Sequence, residues 1–290
     1  MAVYPSVKER IRNLKETFDT LRPGKESLLT VLDEAELPEN VYNSNAIENS
    51  TLTLKETERI LLELEVSRSV SVREIFEAKN LARLIEYKKT KSQEQELTMD
   101  IILFLHRMLL TGINDDIAGR FRKGNEYVRV GTFVAISPEH IEAKMRNTLV
   151  QYTSDFSSYF LDKIAKFHLD FEAIHPFNDG NGRLGRVIIN YQLLRLGFPR
   201  IIIRQKDKKT YYSSFEEYLN DKKTKLMETT ISLALVESLH KRITYLQGKE
   251  IITLPEYTRR EKLKAPAVFN AARRQTIAAF REKGVWKIGI

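Results

Sequence analysis

The chain has 290 residues, 42% of them hydrophobic, which is enough to bury a full core in one main domain with appendages. It has no cysteine, which excludes disulfides, thiolate catalysis and thiolate metal sites and fits a reducing cytoplasm. The net charge of +8 is uneven: residues 251–290 hold nine Lys or Arg against three Asp or Glu, placing +6 of it there, and concentrated positive charge attracts polyanions.

The opening stretch MAVYPSVKERIRNLKETF is charged throughout and reads as no secretory signal. No apolar run approaches membrane-spanning length, so a cytoplasmic protein with no membrane partner is expected. Residues 1–95 read as a helical region: Val7–Leu21, a turn at residues 22–25, Leu28–Ala35, a separate helix around Ser44–Asn49, then Leu54–Leu64 and Val72–Tyr87. The polar run KKTKSQEQE at 88–96 marks a boundary, and residues 96–248 form the main unit. Within it, Tyr127, Arg129 and Gly131 alternate with Val128 and Val130, which predicts a short hairpin inside Ala118–Phe133. Leu161, Ile164, Phe167, Phe171 and Ile174 then recur at helical spacing until Pro176 stops them. Leu184, Val187, Ile188, Tyr191, Leu193 and Leu194 set a second helical stripe, and 222–246 continues helical. In the module 249–290, PAVFNAARR and TIAAFREKG read as two short helices before Val285–Gly289, loosely like a helix-turn-helix with a minimal wing. A basic helical cap on the core, serving a target or subunit contact, explains the same residues and is the preferred reading. The fold class predicted is mostly α-helical with one β-hairpin and a small basic C-terminal helical or winged-helix-like module.

The chemistry concentrates at residues 175–186, HPFNDGNGRLGR. Twelve residues supply a candidate base (His175), a carboxylate (Asp179), an amide (Asn181), close-approach glycines (Gly180, Gly182) and two guanidinium groups (Arg183, Arg186). The turn feeds a helix N-terminus, whose first N–H groups lack internal partners and carry the positive end of the helix dipole, so an anion docks there readily. Gly180, Gly182 and Gly185 also satisfy the dinucleotide pattern GxGxxG, with Asp207 as a mimic of its ribose carboxylate. The preceding segment is helical where that pattern needs a strand, so a Rossmann reading is rejected, and no Walker loop occurs. The remaining histidines (106, 140, 168 and 240) lack companions at metal spacing and read as structural.

The stretch 175–186 resembles the signature HPFx[DE]GNGRxxR of Fic-domain proteins at every fixed position, and the likeness extends over about residues 96–245. The resemblance implies transfer of AMP from ATP to a Ser, Thr or Tyr hydroxyl of a target protein. His175 would be the general base, Phe177 the apolar anchor of the loop and Asp179 the Mg²⁺ ligand. Asn181 and the glycine amides would stabilise the α- and β-phosphates, with Arg183 and Arg186 on the β/γ end. Upstream, SNAIEN (Ser44, Glu48, Asn49) resembles the inhibitory motif [ST]xxxE[GN], whose glutamate pairs with the second arginine, here Arg186. The hairpin Tyr127–Val130 resembles the family's flap, which aligns the target peptide by strand addition, and Tyr211 and Tyr212 match a position near the adenine. Two other readings stay open at this point: a nucleic-acid-binding regulator acting through 251–290, and a hydrolase in which Glu48 activates water to remove AMP. The target, the donor (ATP, UTP, GTP or a phosphocholine compound) and any homodimer are not readable from the sequence.

Overall fold

A computed structural model describes residues 5–63, 70–91, 96–131 and 133–290. The residues are mostly helical. Helix α1 (Pro5–Leu21), α2 (Glu26–Ile47), α3 (Leu54–Glu58) and α4 (Val72–Lys91) precede α5 (Met99–Leu110). The hairpin β1 (Arg129–Val130) and β2 (Phe133–Val134) leads into α6 (Ile141–Ser154), α7 (Phe160–Ile174) and α8 (Asn181–Arg195). Then come α9 (Lys208–Asp221) and α10 (Lys225–Leu246), and finally β3 (Ile251–Thr253), α11 (Leu254–Arg260), α12 (Ala265–Arg273), β4 (Ala279–Glu282) and β5 (Val285–Gly289). Leu64 and residues 92–95 of the polar boundary run lie outside the described residues.

Helices α7 and α8 sit between two apolar clusters and belong to both. Phe167, Phe171 and Ile174 of α7 join Leu184, Val187 and Ile188 of α8 in one cluster with α4 and α5. Leu161, Ile164 and Leu169 join Ile189 and Leu193 in the other, against α1, α9 and α10. The loop between α7 and α8 is therefore anchored from both sides, as a site that must hold fixed geometry requires.

Three expectations change. The separate helices expected at Leu28–Ala35 and Ser44–Asn49 are one continuous helix, α2, which runs through the buried Pro38. Proline removes one helical hydrogen bond, yet α2 is pinned on both sides of it by an acidic face. Asp33 pairs with Arg200 (3.1 Å) and Arg242 (2.9 Å), Glu36 with Lys241 (3.0 Å) and Arg242 (2.6 Å), and Glu39 with Arg204. Segment 222–246 is not unbroken, because Lys222 adopts left-handed φ and caps α9 before α10 begins at Lys225. In the C-terminal module, TIAAFREKG is not a helix: residues 279–282 are strand β4, turning into β5 through Lys283 (φ 49°) and Gly284 (φ 79°). Two successive positive φ values are what a two-residue hairpin turn needs. The sheet order β3–β5–β4, all antiparallel, with α11 and α12 inserted between β3 and β4, is that of a winged helix, with α10 supplying the leading helix.

Candidate active site

The loop begins at His175, which ends α7 in a left-handed conformation (φ 50°, ψ 62°) with its N–H donating to the Phe171 carbonyl. This turns the imidazole out of the helix line and into the cleft. Burial, reinforced by the Arg122 guanidinium, holds the imidazole down at about 4 against an ordinary 6.5, so it is neutral at pH 7 and free to accept a proton. Its Nδ1 lies 3.9 Å from Oε2 of Glu172, one turn back on α7. Burial and the neighbouring Glu48 raise Glu172 to about 8, with Arg186 opposing.

Side chains from distant segments hold this loop. Phe177 is fully buried and stacks on His106 of α5 at 3.7 Å between ring centroids. The Gly119 N–H donates to His106 Nδ1 (3.0 Å), so the proton sits on Nε2, which donates to the Asp179 carbonyl (3.0 Å). His106 is thus structural, as expected, but its structural work is to hold the site. The Asn181 amide locks the turn: Oδ1 accepts from the Phe177 N–H (3.0 Å) and Nδ2 donates to the Phe177 carbonyl (2.8 Å). Both ends of its amide are therefore engaged with the loop. Arg122, 2% exposed, donates to the carbonyls of His175 (2.8 Å), Glu126 (2.9 Å) and Ile136 (3.0 Å), tying the loop to the hairpin. At Gly180 (φ 81°) a Cβ would press on Leu109 and Leu110 at 3.0 Å.

The charged groups fall into two sets. Asp179 accepts from the Gly180 N–H (2.6 Å), from Arg183 (2.9 Å) and from Arg73 of α4. Burial would raise its carboxyl, but Arg183 and Arg73 outweigh it and the net shift is downward, so it is ionised at neutral pH. Arg183 is also paired with Glu77 (3.0 Å). Arg186, 5% exposed, donates through Nε to Ser44 Oγ (2.9 Å) and through Nη2 to the Ser44 carbonyl (2.7 Å). Its Nη1 meets Oε1 of Glu48 at 2.9 Å. Glu48 is the C-cap of α2, and its carboxylate lies over Gly182 in the first turn of α8, where any Cβ would meet Oε1 at 2.2 Å. Asn49 follows at φ 68° and accepts from Lys208 (2.7 Å). A carboxylate thus lies beside the first turn of α8 and against Arg186.

Two cavities meet at Glu48, His175 and Gly182, which line both. One, of about 510 Å³, is walled by Leu169, Tyr211, Tyr212, Phe215, Leu219 and the hairpin residues Arg129, Val130 and Phe133. The other, of about 460 Å³, is polar and walled by Asp179, Asn181, Arg183, Arg73 and Glu77. Tyr211 is buried, with its hydroxyl 2.7 Å from His168 Nε2, whereas Tyr212 reaches the cleft and donates to the Ile47 carbonyl (3.3 Å). In the hairpin, Arg129 pairs with Val134 and Val130 with Phe133, Val128 accepts from the Ala135 N–H, and Tyr127 is 57% exposed. Among the described residues no cluster of three or more His, Cys, Asp or Glu could hold a metal alone. Asp179, an ionised hard oxygen donor, suits Mg²⁺ only if phosphate oxygens complete the ligand set.

Arg122, Arg73, Glu77 and Glu172 were not singled out from the sequence. Only Glu172 carries a sequence signal, standing three residues before His175 on the same helix face. Among the described residues no helix is long and apolar enough to cross a membrane.

The Fic/DOC family profile matches residues 96–193. Protein adenylyltransferase fic-1 of Caenorhabditis elegans is 33% identical over 180 residues, covering 60% of this chain and 35% of its own length. Protein adenylyltransferase Fic of Nematostella vectensis is 33% identical over 217 residues, covering 73% of this chain and 49% of its own. The chain therefore spans about a third to a half of these relatives. The crystal structure of a Fic domain containing signaling protein from Bacteroides thetaiotaomicron superposes with a TM-score of 0.75 at 27% identity, over 83% of this chain and 98% of that one. With the loop, its two flanking helices and these likenesses in agreement, residues 96–193 of the chain form a Fic/DOC domain.

Proposed function

We propose that the protein is an adenylyltransferase that moves AMP from ATP to a hydroxyl of a protein target and is held idle by Glu48. The observation that carries this is the placement of the Glu48 carboxylate against Gly182 and Arg186, beside the first turn of α8 where an anion would dock. The apolar cavity fits an adenosine and the polar one its phosphates, so a nucleotide would cross the junction where Glu48 stands. Neutral His175 accepts the proton of the target hydroxyl as its oxygen bonds to the α-phosphorus. The bond from that phosphorus to the bridging oxygen breaks, and pyrophosphate leaves in line. Arg183, and Arg186 once freed, hold the departing phosphates. Mg²⁺, when bound through Asp179, would neutralise charge on the phosphates. The edge of β1–β2 beside His175 is the place for the target backbone, by strand addition. The absence of cysteine agrees with a cytoplasmic setting.

The test is incubation of wild type, Glu48→Gly and Glu48→Gly/His175→Ala with ATP labelled at the α-phosphate. Label should enter protein strongly in the first variant alone. Release of free AMP from a pre-modified target by wild type, lost in Glu48→Gly, would favour the hydrolase instead.

A further inference from the structure

We infer that the C-terminal winged helix binds duplex DNA through α12, a property outside the transfer chemistry proposed above. In a winged helix the helix before the hairpin is the one placed to enter the major groove, and here that helix is α12. The four-residue turn 261–264 joins it to α11. Val268 and Ala272 face inward to the module's own apolar core, with Ile252, Leu254 and Ile288. The opposite face is open to solvent: Ala265, Pro266, Ala267, Asn270, Arg273 and Arg274 are all exposed. No Asp or Glu occurs between Lys262 and Arg281. Among the described residues, Lys262, Lys264, Arg273 and Arg274 pair with no acid, whereas Arg281 is spent on Glu237.

The shape agrees with the charge. A helix with its side chains is about 10–12 Å across, which fits a major groove about 12 Å wide, and the nine residues of α12 are about 13 Å long. Alanines on its exposed face let the backbone approach base edges, and Asn270 stands there with an amide that can pair with adenine. The cations cluster at the two ends of α12, where the phosphate ridges on either side of the groove would lie. An acidic protein would meet the same charge but has no need of a small-residue helix between two cationic ends. The wing tip is engaged elsewhere: the N–H groups of Lys283 and Gly284 donate to Glu39 (3.0 and 3.1 Å), and Lys283 Nζ pairs with Glu58 (2.9 Å). Binding should therefore rest on about four phosphate contacts.

The experiment is fluorescence anisotropy of a labelled 20-base-pair duplex of mixed sequence with the full chain from 50 to 200 mM salt. Expected is binding that weakens with salt at a log–log slope of about −4 or shallower, from some four phosphate contacts. K262E/K264E and R273E/R274E should each weaken it at least ten-fold, while K144E/R146E on exposed α6 should not. Emission of the single tryptophan, Trp286 in β5, reports that each variant is folded, and a misfolded pair is replaced by its alanine counterpart. No binding at 50 mM salt would overturn the inference. So would variants that bind like wild type, or equal binding of single-stranded RNA or an acidic polypeptide. Because label transfer from ATP is measured separately, failure here leaves the transfer reading untouched.

Discussion

At Arg186 one guanidinium is shared by a serine and a carboxylate from the same helix end. Freeing it should matter only when phosphate needs it. Glu48→Gly is expected to raise transfer at least about ten-fold, equivalent to about 1.4 kcal/mol of transition-state stabilisation. Arg186→Ala should cancel that gain yet change wild type little, and label transfer in the four-way cycle checks this non-additivity. Glu172 adds a pH dependence. Its carboxyl, raised to about 8, is uncharged below that value and ionises above it, putting a second carboxylate beside Glu48 and Arg186. Competition for one guanidinium then loosens Glu48, so wild-type transfer should climb as pH passes 8, and a pH–rate profile of Glu172→Gln should lack the climb. Asp179→Ala should weaken Mg²⁺-dependent ATP binding and turnover together, read by calorimetry with and without Mg²⁺. Unchanged Mg²⁺ dependence would make Asp179 a loop-holding residue for Arg73 and Arg183 alone.

Among the elements, α2 links the site to the rest of the molecule. Its C-terminal end presents Ser44 and Glu48, while its middle is fixed by Glu39, buried against Arg204 and the β4–β5 turn. Glu39→Ala would leave Arg204 with Glu237 as its remaining acid and two backbone N–H groups unmet. Breaking a buried pair from one side costs about 3–5 kcal/mol, so thermal unfolding should fall by several degrees. Transfer at a temperature where the variant stays folded should rise, because α2 no longer presents Glu48 so firmly. A variant that loses stability with no gain in transfer would show that the Glu48 end of α2 is held by Ser44 and Arg186 alone.

Across the whole molecule the acidic face of α2 also sets the response to acid. Burial would raise Glu36, but Arg242 and Lys241 outweigh it and bring it down to about 2 from an ordinary 4.5. A depressed carboxyl stabilises the fold fully above its unfolded value and loses that contribution as pH falls through the folded one, about 3 kcal/mol in all. Stability should therefore drop between about pH 4.5 and 2, and Glu36→Gln should flatten that drop in denaturant melts. Hydrogen exchange should show α2 opening before α8, which is buried along most of its length.

The reach of the sequence follows from distance along the chain. The loop 175–186 was legible because its groups are consecutive and its flanking helices announce themselves by period, Leu161 to Ile174 before it and Leu184 to Leu194 after. The pairing of Glu48 with Arg186 was legible only through family resemblance, since no local rule joins residues so far apart. Arg122 and Arg73 carry no sequence signal and His106 reads only as a structural histidine, because each acts on the loop from a separate segment through backbone carbonyls or a carboxylate. The hairpin at Lys283–Gly284 reads as a helix in the sequence because short amphipathic runs fit a helix or a strand equally until pairing partners are known. Sequence by itself determined the signature loop 175–186, the helical class and the basic tail, which depend on residue type and local period. Only the tertiary structure decided that α2 runs unbroken through Pro38, that Glu48 lies over Gly182 and that the tail is a winged helix, because each depends on contacts between segments far apart in the chain.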